Sequence, residues 1–162
     1  VLLLLERSMG SASKWAEYIA ALPWDVSLPV TWGPERLQAL LGAAPQWEIE
    51  EKQRQLANAY GVLGGMKGAA GEAFTSACPS CNTLLAAFSL AHSRAMGISS
   101  GKRWRMAMLP FADMINHCSE PEVDWDVVNV KDAGLCVVGR ALCEVKAGAE
   151  LHIRYRGAAS AQ

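Results

Sequence analysis

The stretch Leu109-Pro110-Phe111-Ala112-Asp113-Met114-Ile115-Asn116-His117-Cys118 is where the chain changes character. Before it, apolar residues recur at helical spacing; after it, they alternate along short segments. Pro110 cannot sit inside a helix, and Asn116-His117 sets two polar side chains directly after apolar Met114 and Ile115. Taken alone, such a pair reads most simply as polar groups satisfying a buried turn, because buried polar groups ordinarily serve hydrogen bonding.

Downstream, Val123, Trp125 and Val127 alternate, Leu135 to Val138 is an apolar run, and Glu150 to Tyr155 reads as a further short strand. Upstream, Leu84, Leu85, Phe88 and Ala91 predict a helix over 82–96, capped by Ser80 or Asn82 and stopped at Gly97. Between Gly61 and Gly71 glycine recurs beside alanine, which predicts a mobile loop with little to pack and no functional constraint. From Trp47 to Tyr60 the run WEIEEKQRQLANAY is rich in strong helix formers, with acids early and bases later as the helix dipole prefers.

Further toward the start, Gly33-Pro34 opens a helix carrying Leu37, Leu40 and Leu41. Ser13 is placed to cap a helix with Trp15, Tyr18, Ile19 and Leu22 at helical spacing, ended by Pro23. The opening Val1-Leu2-Leu3-Leu4-Leu5 is far shorter than the roughly 20 apolar residues that span a bilayer, and it lacks the flanks of a signal peptide. It reads as a buried helix start. Helices before about residue 96 and strands after about residue 120 make the expected fold α+β rather than a parallel βαβ sheet.

Composition narrows the function classes. A chain of 162 residues, 51% of them apolar, is enough for one domain with an ordinary core. With 15 basic and 16 acidic side chains the net charge is −1, so no broad field recommends nucleic acid or an anionic membrane as a partner. Among the 5 cysteines, Cys78 and Cys81 form a CxxC while Cys118, Cys136 and Cys143 stand alone. An odd set does not make a disulfide framework, and one CxxC falls short of a four-ligand zinc site, so these read as reduced, partly buried thiols and no metal is expected.

Two other segments gain meaning from their order around the first. Ser93-Arg94-Ala95-Met96 precedes it, and Ala147-Gly148-Ala149-Glu150-Leu151-His152-Ile153-Arg154-Tyr155 follows the alternating strands. Singly, Arg94 is a helix-end cation complementing the dipole, and Tyr155 is a half-buried ring with a wet hydroxyl. In this order the segments resemble the C-terminal half of a SET domain, whose pattern runs SR-x-F, P-x-x-D-x-x-N-H-S, then G-E-E followed shortly by Y. Upstream, LLLLERSMGSASKWAEYIAALP is similar to the opening of the helical insert in Rubisco large-subunit lysine methyltransferase-like SET proteins.

The resemblance implies a partial SET domain, with the helical insert over 1–77, its Gly-rich loop from 61, and the C-terminal SET half over 78–162. The chain departs from the pattern at Met96 and Ala149, and Arg156-Gly157-Ala158-Ala159-Ser160 matches Y-G-x-x-S-N only loosely. The family's N-terminal SET strands and Gly-rich cofactor loop have no counterpart, nor has a later channel-closing tyrosine, so an incomplete domain is expected.

These enzymes move a methyl group from S-adenosylmethionine (AdoMet) to a protein lysine. A lysine with pKa of about 10.4 is neutral in roughly one molecule in a few thousand at pH 7, a cost of about 4 to 5 kcal/mol. Desolvation and an aligned channel lower that cost without a metal. The resemblance makes Tyr155 the catalytic tyrosine, a phenol with pKa of about 10 whose oxygen accepts from an amine without trapping a cation. It gives cofactor binding to Arg94, Asn116 and His117, and substrate contacts to Arg94, Asp113, Trp125 and Tyr155, with Trp125 standing where a tyrosine is usual. The expected partner is a protein presenting a lysine. Histidine methylation, or a non-catalytic SET-derived protein-binding module, remain alternatives. Compartment, whether plastid or cytoplasm, and oligomeric state stay open.

Overall fold

The computed structural model describes residues 1–39, 46–100, 103–132 and 134–155. The chain divides into two compact units, Val1–Ser93 and Arg94–Gln162.

The first unit is helical. Helices α1 (Leu2–Ser8), α2 (Ala16–Ala21), α3 (Pro34–Gln38), α4 (Gln46–Gly64), α5 (Ala69–Ala77) and α6 (Cys81–Arg94) follow in order, α6 running into the second unit at its last residue. The predicted helix start at Val1–Leu5 is present, yet only Leu4 is buried; Val1 and Leu2 are exposed. Ser13 lies before α2, where its Oγ accepts from Trp15 N–H at 3.1 Å and donates to Glu6 Oε2 at 2.6 Å, tying α2 to α1. Tyr18, Ile19 and Leu22 are buried as their spacing requires, whereas Trp15 is exposed. Gly33 precedes α3 with Pro34 in its first turn, and Leu37 is buried; Leu40 and Leu41 lie outside the described residues.

Two expectations in this unit are overturned. The Gly/Ala-rich segment is mostly helix: α4 continues to Gly64 and α5 begins at Ala69, which confines the connection to residues 65–68. Alanine has the highest helix propensity, and one of the glycines is sterically required. A Cβ on Gly71 would lie 1.9 Å from the Met66 carbonyl oxygen, so only glycine permits this approach of α5 to the turn before it. Likewise α6 ends at Arg94 rather than at Gly97, which lies inside the strand Met96–Ser100. Pairing with a second strand outweighs the local helical pattern there. Ser80 does cap α6, its Oγ accepting from Thr83 N–H at 3.2 Å.

Leu4, Phe74, Cys78, Leu84 and Ala87 form a core joining α1, α5 and α6, with Trp24, Tyr60 and Leu63 packed against it. The Gln53 carboxamide fastens α4 by donating to the carbonyls of Val30 (3.0 Å) and Trp32 (2.9 Å). Burial pushes the Cys78 thiol up from its ordinary value. No helix among the described residues is long and apolar enough to cross a membrane.

The second unit is built on strands. β1 (Met96–Ser100) and β2 (Arg103–Ala107) make an antiparallel pair that the sequence did not suggest. β3 (Asn116–His117), β4 (Val123–Val130), β5 (Gly134–Ala141) and β6 (His152–Ile153) form a sheet in the order β3-β6-β4-β5. β4 and β5 are an antiparallel hairpin; β6 runs parallel to β3 and β4. The hairpin turn places Asp132 (φ 68°) and Gly134 (φ 75°) in the left-handed region, where Asp and Gly are the usual occupants. Val123, Trp125 and Ile153 are the buried core of this unit, packed with Met96, Ile98, Leu109, Ile115 and Val127. The alternation along β4 is thus the mark of one buried sheet face.

Candidate active site

Pro110 ends the extended segment after β2, and a short 3-10 turn, Ala112–Met114, follows. Phe111 at its entrance has φ 67° and ψ −39°, a conformation bulky residues rarely adopt, with an exposed ring. The turn buries Asp113 and delivers Asn116 and His117 to β3. Both are exposed, so the pair is not the buried turn that composition alone suggests.

β6 brings the end of the described chain alongside. Asn116 pairs with His152 and His117 with Ile153 in parallel register, and Cys118 N–H donates to the Ile153 carbonyl at 3.1 Å. This register carries Tyr155 to His117. The Tyr155 N–H donates to His117 Nδ1 at 3.0 Å, and the two rings stand 5.2 Å apart at 45°. Accepting at Nδ1 assigns the ring proton to Nε2. The Tyr155 hydroxyl donates to the Ile115 carbonyl at 2.9 Å, while 53% of the residue stays exposed. Arg154 reinforces the alignment by donating to the Ser119 carbonyl.

Arg94, the last residue of α6, donates from Nη1 to the Asp113 carbonyl at 3.1 Å. Its Nε is buried with no hydrogen-bond acceptor among the described residues. Trp125 is buried beside Val123 and Ile153 in the sheet core. The structure therefore joins Asn116, His117 and Tyr155 in one cluster and Arg94 with Asp113 in another contact, while Trp125 belongs to the packing of β4. Arg156 to Ser160 lie outside the described residues.

Sequence reasoning missed Glu122 and His152. One Glu122 oxygen, Oε2, accepts from His152 N–H at 3.1 Å and faces His152 Nδ1 at 3.0 Å. The Glu122 carboxyl is held below its ordinary value, first by its own backbone N–H and next by the His152 side chain. The available signal was the spacing of Glu150 and His152, two apart in an extended segment and hence on one face. No group of three or more His, Cys, Asp or Glu side chains among the described residues is placed to hold a metal ion.

Helices followed by this small sheet make a mixed α+β fold, and it is that of part of a SET domain. The solved structures that share it include the SET domain of LSMT bound to lysine and AdoHcy, at a TM-score of 0.71 and 23% identity over 96% of this chain. The same domain bound to MeLysine and AdoHcy matches with a TM-score of 0.71, also at 23% identity. The chain spans 36% and 35% of those two solved chains, so the likeness covers nearly all of this sequence and about a third of theirs. No protein-family model and no curated protein matches the chain.

Proposed function

We propose that this chain supplies the helical insert and C-terminal SET half of an AdoMet-dependent protein-lysine N-methyltransferase of the Rubisco large-subunit lysine methyltransferase-like class. The observation that carries the reading is the 3.0 Å bond from Tyr155 N–H to His117 Nδ1, which unites the Asn-His segment with the tyrosine. Support comes also from the LSMT structures of the same fold, which hold AdoHcy with lysine or methyllysine.

The residues present fit such a cofactor. Arg94 has a buried Nε in need of an acceptor, and Asn116 and His117 present exposed polar groups on β3. Arg94, Asn116 and His117 hold the cofactor in this reading, which when bound supplies an electrophilic methyl group to a nitrogen nucleophile. Tyr155 spends its only hydroxyl hydrogen on the Ile115 carbonyl, which leaves the oxygen lone pairs as acceptors for an incoming amine. Asp113 holds Arg94 through its main-chain carbonyl, and in this reading the two stand toward the lysine, while Trp125 serves the sheet core beneath.

Calorimetry with AdoMet, and transfer from labelled AdoMet to lysine- and histidine-bearing peptides, test this reading on the chain joined to the N-terminal SET strands and cofactor loop that the class carries. Saturable AdoMet uptake, weakened about tenfold or more in Arg94→Ala by loss of a charged hydrogen bond, is expected together with label on lysine. Label on histidine alone would make this a histidine methyltransferase. Absence of any AdoMet uptake would leave the protein-binding module as the better account.

A further inference from the structure

Asn116 owes its orientation to residues outside the segments that suggested the site. Its Nδ2 donates to Glu150 Oε1 at 2.6 Å, and a carboxylate only accepts, so this bond fixes which end of the carboxamide faces Glu150. The carboxamide oxygen is thereby turned the other way. Its two ends are nearly equal in size, so without such a partner an exposed Asn samples both orientations.

His152 stands close by Glu150, beyond hydrogen-bond reach. His152 Nε2 lies 3.8 Å from Glu150 Oε1, and His152 is gripped by Glu122 Oε2 through both its backbone N–H and Nδ1. Since Glu122 can only accept, Nδ1 carries a proton in that contact. The parallel register sets Asn116 directly opposite His152 across β3 and β6, which brings the Asn116–Glu150 bond beside the His152–Glu122 pair.

We propose that Glu150 is a positioning residue for Asn116, whose bond to it turns the Asn116 carboxamide oxygen toward a hydrogen-bond donor on the bound ligand. As to the ligand, this rests on the proposed function above; as to Asn116, it rests on its bond to Glu150 alone. Glu150 acts through Asn116 and touches no reacting atom.

The test compares the parent chain with Glu150→Ala and Glu150→Gln, reading the Asn116 side-chain amide protons by NMR and AdoMet affinity by calorimetry. Alanine removes the acceptor, so the two Asn116 amide protons should converge in shift. AdoMet should then bind about three- to tenfold more weakly, the range of one hydrogen bond. Glutamine keeps an acceptor oxygen and should restore most of both. Unchanged Asn116 signals in Glu150→Ala overturn the proposal, as does unchanged AdoMet affinity where the parent binds. Converged signals in a chain whose parent takes up no AdoMet count for the positioning and against the proposed function.

Discussion

Gly71 and Asn116 mark the contrast between the helical unit and the strand-based unit. At Gly71 a missing side chain lets backbone meet backbone, and elsewhere in the same unit Leu4, Phe74, Cys78, Leu84 and Ala87 exclude water. At Asn116 an exposed side chain is set by a carboxylate, and its neighbours His117, His152 and Tyr155 are likewise placed by polar contacts. Volume organises the first unit, whereas donor and acceptor direction organises the working face of the second. Substitutions in the first should be felt as lost stability, those in the second as lost chemistry at nearly constant stability.

The strongest challenge to that contrast is Phe74→Ala. Emptying a core aromatic typically costs about 3 to 5 kcal/mol, so denaturant unfolding should show a loss of that size. A loss below about 1 kcal/mol would mean the site collapses freely and volume is not what organises the unit. On the other side, if the proposed function holds, Tyr155→Phe in a chain completed with the N-terminal SET strands should slow single-turnover methyl transfer about a hundredfold or more, as loss of one positioned polar group at a reacting centre does. AdoMet affinity should hold, and stability should change by less than about 1 kcal/mol because the ring stays and the residue is exposed. Transfer at the parental rate would remove the distinction between the units.

Gly71→Ala sharpens the contrast at smaller scale. The added methyl meets the Met66 carbonyl, and relief of that overlap should cost about 1 to 3 kcal/mol in thermal unfolding despite alanine's better helix propensity. The smallest effect concerns acid. A carboxyl held below its ordinary value of 4.5 stabilises the fold above that value, and the contribution is lost as pH falls through the lowered one. Glu122→Gln should therefore flatten the acid limb of the stability profile below about pH 4.5 and leave neutral pH nearly unchanged. An unaltered acid limb would detach Glu122 from its pairing with His152.

The helical spacing of Tyr18, Ile19 and Leu22, and the alternation of Val123 and Trp125, were legible because burial imposes those periods directly. The resemblance carried by the short polar segments assigned both His117 and Tyr155 to one site, and the parallel register sets the two side by side. What stayed hidden depended on distant partners. Gly71 looked like a loop residue because its need for a bare backbone arises only against Met66. β1 was masked by helical residues before it, since its pairing with β2 is not written in either segment alone. Glu122 and His152 are 30 residues apart, and only the sheet makes them neighbours. Phe111's left-handed backbone leaves no trace in its side chain.

The parallel pairing of β3 with β6 has a kinetic consequence. That ladder is two residues long on each strand, and closing it requires residue 116 to find residue 152 across an intervening hairpin. Helices and the β4–β5 hairpin need only local encounters and form in microseconds, while the short long-range pair must first meet the loop-closure entropy. The refolding chain should therefore acquire most of its circular dichroism before the Tyr155 N–H becomes protected from hydrogen exchange, so that folded and site-competent are successive states of the molecule.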